Sequence, residues 1–254
     1  MEWYIILAVV GVGFVAGFIN TLAGSGSLLT LPMLMFLGLP ANVANGTNRI
    51  GILFQSIVAS GSFKKQKVLD IKTGLWLAVP SIIGAIIGSV WAVNLTDEIM
   101  QVFIGILLIV MFFVILYKPD VWIKEHAGKV KGKPSVLQMI IFFVIGLYGG
   151  FIQAGVGFFL LGGLVLGAGY DLIKANAIKV FLTLLFTIPA LVVFIINKQV
   201  DFLLGIILAA GSIMGAYVAA KVAVSWGAKF VRYVLLAAIM GSALKLFGVF
   251  ELIF

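Results

Sequence analysis

Apolar residues run along this chain in blocks of about twenty, the length that carries a helix across a hydrocarbon core of about 30 Å. After Met1 and Glu2 no charged residue occurs before Arg49. The pattern predicts clear spans near 43–61, 73–93, 99–117, 173–196, 202–223 and 229–247. The first apolar run opens Glu2-Trp3-Tyr4, without the basic start of a signal peptide, and reads as a mature membrane segment. Residues 3–39 and 136–170 fit the count differently. Each is near twice a half-crossing and is broken by small polar residues, Asn20-Thr21-Leu22-Ala23-Gly24-Ser25-Gly26-Ser27 and Gly149-Gly150-Phe151-Ile152-Gln153-Ala154-Gly155-Val156-Gly157. Non-helical backbone at membrane depth is tolerated only inside protein or along an aqueous cavity. Both stretches are therefore expected to be broken helical hairpins whose tips reach toward the middle of the membrane.

A shift of 131 residues lays one half of the chain on the other. Ala23-Gly24-Ser25-Gly26 falls on Ala154-Gly155-Val156-Gly157, Ala44-Asn45 on Ala175-Asn176, and Lys67 and Asp70 on Lys198 and Asp201. From 67 to 93, 11 of 27 positions are identical without a gap, far above what biased composition gives, so the reading is duplication. Basic loops set the orientation. Loop 62–72 holds Lys64, Lys65, Lys67 and Lys72, while its mate 193–203 holds only Lys198. Loop 94–101 has none, its mate 225–232 has Lys229 and Arg232, and the linker 118–134 has five lysines. These fall on one side only if the second half is upside down relative to the first. The expected fold is an all-α polytopic membrane protein of two inverted repeats, each a broken helical hairpin plus three transmembrane helices. The first repeat takes residues 1–117, a basic cytoplasmic linker 118–135 and the second repeat 136–254. This is the plan of many secondary transporters, with the substrate near the midplane where the repeats meet.

Composition narrows the classes. With 63% hydrophobic and 10% charged residues and a mean hydropathy of +1.25, the chain is no soluble domain. It has no cysteine, which removes disulfide scaffolds and thiolate metal sites. The net charge of +8 reports loop orientation and not nucleic acid.

Within the spans ionisable residues are nearly absent. Arg49 lies in Asn45-Gly46-Thr47-Asn48-Arg49, with Gln55 and Ser56 about two turns on. In the second half Asn176 and Lys179 take the repeat positions of Asn45 and Asn48, and Thr183 and Thr187 continue one polar stripe. An intramembrane charge costs about 2.5–3.5 kcal/mol on insertion scales and calls for a partner. Asp70, Asp97, Glu98, Asp171 and Asp201 all fall at segment ends, so the expected partner is a bound anion. Glycines at the breaks permit a concave nest of backbone N–H groups. The candidate substrate-binding set is Asn20, Gly24, Ser25, Gly26, Ser27, Asn45, Asn48, Arg49, Gln55, Gln153, Gly155, Gly157, Asn176, Lys179 and Thr183. One linker histidine, His126, and no carboxylate within the spans leave no catalytic or metal constellation, so neither an enzyme nor a cofactor is expected.

Gly17 to Ser27, followed by Asn45-Gly46-Thr47-Asn48-Arg49 and by Gly149 to Gly157, resembles the sulfite exporter TauE/SafE family, over nearly the whole chain. In the second half Val156 stands at the position of Ser25 and Val180 at that of Arg49. The resemblance implies a multi-pass transporter of the cytoplasmic (inner) membrane moving small sulfur-containing anions such as sulfite or organosulfonates. An inside-negative membrane drives one anionic charge outward by about 2.3 kcal/mol per 100 mV, which favours export by alternating access. Ion-coupled import of sulfate or thiosulfate and a structural membrane subunit stay open as alternatives. The partners are then the lipid bilayer and a small anion. Small residues at helical spacing in 73–93 and 202–223 are compatible with a homodimer or with packing inside one chain.

Overall fold

The computed structural model describes residues 2–104, 106 and 134–226. The expected span 229–247, nearly all of the linker and the larger part of span 99–117 lie outside these residues. The helices are α1 (Trp3–Leu22), α2 (Ser27–Phe36), α3 (Ala41–Lys65), α4 (Ile71–Val93), α5 (Val136–Phe151), α6 (Val156–Gly162), α7 (Leu172–Ile196) and α8 (Phe202–Ser225). α6 runs on into a π-helical turn at Gly163–Gly167, and residues 97–104 are helical as well. No strand occurs among the described residues. The protein is an all-helical, multi-pass membrane protein.

α1, α4, α7 and α8 are long and apolar enough to cross a bilayer. The predicted span 43–61 forms as α3, equal to α7 at 25 residues, yet it carries too many polar groups to join that set. Those polar groups are turned inward: Asn42, Asn45, Asn48, Arg49, Gln55, Ser56 and Ser60 are all buried. Both stretches read as hairpins are broken where the polar residues fall, at residues 23–26 and 152–155. Their arms differ from the expectation. α1 has 20 residues, about 30 Å at 1.5 Å per residue, a full crossing and not half of one. The cause is a seam of small residues along which α1 packs on α8 and α5 on α4. A Cβ on Gly17 would stand 2.3 Å from the Ser212 carbonyl oxygen, and one on Gly146 would stand 2.2 Å from that of Ser81. Backbones this close hold the entering arms against a neighbour for their whole length.

The 131-residue offset recurs in the helix bounds: α3 and α7 begin at Ala41 and Leu172, α4 and α8 at Ile71 and Phe202. The turns between them carry Lys67 and Lys198 in the left-handed region, with φ of 60° and 58°. Aspartates cap the helices that follow, Asp70 accepting from the Thr73 N–H and Asp201 from that of Leu204. At one end of the bundle the Gln66 amide donates to the Ala220 carbonyl at 3.1 Å, and the Tyr170 hydroxyl donates to Asp70 at 2.6 Å. That end gathers Lys64, Lys65, Lys67, Lys72, Lys174 and Lys221. At the other, Asn42 donates to the Leu95 carbonyl and Gln199 to that of Val93.

Burial raises the Asp70 carboxyl, but its bonds from Tyr170, Thr73 and the backbone outweigh that and hold it below the ordinary 3.8. Burial and the bond to Asp70 push Tyr170 up to about 12. A depressed carboxylate stabilises the fold above its unfolded value. That stabilisation is lost as the pH falls through the lower value of the folded state. Asp70→Ala is expected to remove both the cap and the tie to Tyr170 and to cost about 1–2 kcal/mol, read as a lower unfolding temperature in detergent at pH 7 and a smaller difference from the parent in strong acid.

Candidate functional site

Each broken hairpin leaves a helix end inside the protein, and the last carbonyls of a helix have no partner within it. The two cations buried among the described residues, Arg49 and Lys179, are spent on these ends. Arg49 on α3 reaches the end of α5, donating to the carbonyls of Gly150 at 2.6 Å and Gly149 at 3.1 Å. The neighbouring Asn45 amide donates to the Phe151 carbonyl at 2.8 Å. Lys179 on α7 reaches the end of α1, donating to the carbonyls of Thr21 at 2.8 Å and Asn20 at 3.0 Å. In both cases the carbonyls belong to the two residues before the last helical one. Each half thus caps the broken helix of the other, and the positive side chain meets the negative end of the helix dipole.

This corrects the expectation that cargo alone neutralises Arg49. Its side chain has no exposed surface. It also contacts Asn45 and Gln153 and stacks on Phe194 at 4.5 Å from the ring centre. The reasoning from missing carboxylates overlooked backbone acceptors. Among the described residues the one ion pair is the surface pair Lys174–Asp171, so no carboxylate holds either buried cation.

Two recesses share Asn20, Ile52 and Gln55 on their walls; Lys179 lines the larger, and Arg49 lines neither. The larger is lined by Asn20, Thr21, Gly24, Gln55, Ser56, Gln153, Gly157, Lys179 and Thr183, with Ile52, Val156 and Val180 as its apolar lining. The smaller is lined by Asn20, Gly26, Ser27, Thr30, Asn48, Gln55 and Ser212, together with Ala16 and Ile52. Both are narrow, with room on the order of one water for an occupant. In the smaller one Thr30 donates to the Asn48 side-chain oxygen at 2.6 Å, and Asn48 donates to Ser27 at 3.1 Å. In the larger one Thr183 donates to the Lys179 carbonyl and the Gln153 amide donates to Thr187.

Of the candidate set, the structure brings Asn20, Gly24, Gly26, Ser27, Asn48, Gln55, Gln153, Gly157, Lys179 and Thr183 onto these recesses. Arg49, Asn45, Ser25, Gly155 and Asn176 line neither. Gly155 has φ of 71° and starts α6, while Ser25 and Asn176 are buried with side-chain atoms that have no protein partner. Sequence reasoning left Thr21, Thr30, Ser56 and Ser212 out of the set, although Thr21 falls beside the first break and Ser56 follows Gln55. Thr30 on α2 lies across the α2–α3 turn from Asn48, and no periodicity links them; Ser212 reads as one more small packing residue on α8.

The recesses are one-sided. At the repeat position of Gln55 stands Phe186, at that of Thr30 Leu161, and at that of Ser27 Phe158, all buried. Bulky apolar groups therefore fill in the second half the space that is polar in the first.

The profile of the family described as sulfite exporter TauE/SafE matches residues 9–246. The chain belongs to the sulfite exporter TauE/SafE family. It is similar to a probable membrane transporter protein, ORF9, of a Sinorhizobium species, at 29% identity over 92% of this chain and 88% of that one. It is also 29% identical to the probable membrane transporter protein YfcA of Escherichia coli strain K12, over 92% of this chain and 87% of the relative. A probable membrane transporter protein of Haemophilus influenzae shares 25% identity over 87% and 86%. No solved structure matches the chain. Membership makes this protein a membrane transporter and not an enzyme.

Proposed function

We propose that the protein is a secondary transporter of the inner membrane that exports a small sulfur-containing anion, such as sulfite or an organosulfonate, by alternating access around the recess at Lys179. The observation that carries this reading is a buried ammonium at the crossing of the two broken hairpins, facing a recess edged with hydroxyl and amide groups. An ammonium has three donors. Two hold the α1 end, and the third is available to cargo. Asn20, Gln55 and Ser56 supply neutral partners for further oxygens. Gln153 is spoken for by Arg49 and Thr187. The segregation of six lysines to one end of the bundle supports placing that end in the cytoplasm, with the second repeat inverted relative to the first. Outward movement of one negative charge then runs down the membrane potential.

The test is electrogenic efflux of sulfite or methanesulfonate from proteoliposomes. Lys179→Gln keeps an amide donor for the α1 end but removes the charge, and is expected to lower the apparent affinity for anion about a hundredfold or more. Unchanged flux in a folded Lys179→Gln protein would remove Lys179 from the site. Flux that requires an imposed sodium or proton gradient would replace export by coupled uptake.

A further inference from the structure

We infer that the recess selects monovalent over divalent anions, because Lys179 is, among the described residues, the single charged side chain that lines it. This inference rests on the site proposed above. Among the described residues, neither recess has another ionisable residue on its wall. Arg49 contributes nothing directly, since both terminal nitrogens of its guanidinium are spent on the α5 end and on Asn45 and Gln153.

The charge that Lys179 offers is already reduced. The α1 carbonyls it caps form a helix C-terminus, equivalent to roughly half a negative charge. A monoanion leaves this arrangement close to balance. A dianion leaves about one charge more without a partner inside the protein, which is strongly unfavourable. The remaining contacts cannot make up the difference. Thr183 already donates to the Lys179 carbonyl, which leaves Asn20, Thr21, Gln55 and Ser56 as neutral partners. The rest of the lining includes the apolar Ile52, Val156 and Val180. Two of these occupy positions where the first half has Ser25 and Arg49, so the second repeat supplies an apolar wall where a symmetric site would have supplied polar groups and a second cation. The lining, once alternating access opens the recess beyond its one-water width, suits an anion with one charged oxygen face and one weakly hydrated face: a short alkanesulfonate, a short monocarboxylate or a singly protonated inorganic oxyanion.

The experiment compares methanesulfonate and acetate with sulfate and thiosulfate, at matched ionic strength, on the purified full chain. Protection against thermal unfolding and competition for counterflow in proteoliposomes are both read. Methanesulfonate is expected to bind at least about tenfold more tightly than sulfate. In Gln55→Lys, which adds a second cation to both recesses, the preference is expected to move toward sulfate. Sulfate or thiosulfate competing as well as methanesulfonate in the parent protein overturns the inference and leaves the transport site standing. Protection by none of the four anions overturns the site and the inference together. The comparison within the parent protein needs no variant, so it holds even if Gln55→Lys does not fold.

Discussion

Arg49→Met is expected to unfold the protein rather than merely silence it, at a cost of about 3–5 kcal/mol, the range for removing one partner of a buried charged arrangement. The substitution leaves the Gly149 and Gly150 carbonyls without donors in a place where water does not reach. A buried acceptor left unsatisfied costs about 1–3 kcal/mol, so the two together account for most of the loss. The Phe194 ring also loses the guanidinium that lies over it. Arg49→Lys restores the charge but replaces a planar fork by a compact ammonium, which cannot reach the same set of carbonyls at once, and is expected to recover only part of the stability. The measurement is the yield of monodisperse protein in detergent and its unfolding temperature. A residue that only bound cargo would give a stable, inactive variant. Parent-like stability of Arg49→Met would therefore defeat the capping role and return Arg49 to the transport site.

This assignment shows where the sequence is legible and where it is not. The breaks were readable at Gly24-Ser25-Gly26 and at Gln153-Ala154-Gly155, because small and polar residues interrupt long apolar runs there and helix formation stops for local reasons. The helices α4, α7 and α8 were readable to within about two residues, since apolar length decides them. α1 was not, because its reach depends on Gly13 and Gly17 meeting α8 nearly two hundred residues away. The partners of Arg49 and Lys179 were invisible for a deeper reason. Every residue carries a carbonyl, and only the fold decides which of them are orphaned. A search for carboxylates finds none, and the step from there to cargo overlooks a class of acceptor that has no signature in sequence.

The two cations differ in a way that matches their surroundings. Arg49 makes a rigid, fully enclosed cap at the half of the protein filled by Phe186, Leu161 and Phe158. Lys179 makes a two-point cap at the half where Asn20, Gln55 and Thr30 keep the space polar. An ammonium on a flexible stem can exchange one acceptor for another more readily than a guanidinium fixed by several bonds. The two caps are not copies of one another, since Val180 stands at the repeat position of Arg49 and Asn48 at that of Lys179; one cap is closed, and the other borders the recess.

Gly24→Ala and Gly157→Ala are expected to damage fold and transport together, because these two residues are where the broken hairpins touch. The Gly157 N–H donates to the Gly24 carbonyl at 3.3 Å. A Cβ on either glycine would lie 2.2 Å from the Cα of the other. The obstruction is backbone against backbone, so no side chain can swing aside, and relief requires the tips to part. Overpacking of this kind costs about 1–3 kcal/mol. Gly24 has a φ of 83° as well, a left-handed conformation that costs a residue with a Cβ about 1–2 kcal/mol more. Gly38 separates the two effects: its φ is 92° but nothing lies within 4 Å of an added Cβ. Gly38→Ala should therefore show the backbone penalty alone, Gly157→Ala the steric one alone, and Gly24→Ala both. The readout is unfolding temperature beside anion flux. Since the recess at Lys179 is bounded by Gly24 and Gly157, parting the tips is expected to abolish flux even in protein that remains folded. Full flux in Gly157→Ala would mean that the crossing of the tips does not shape the path.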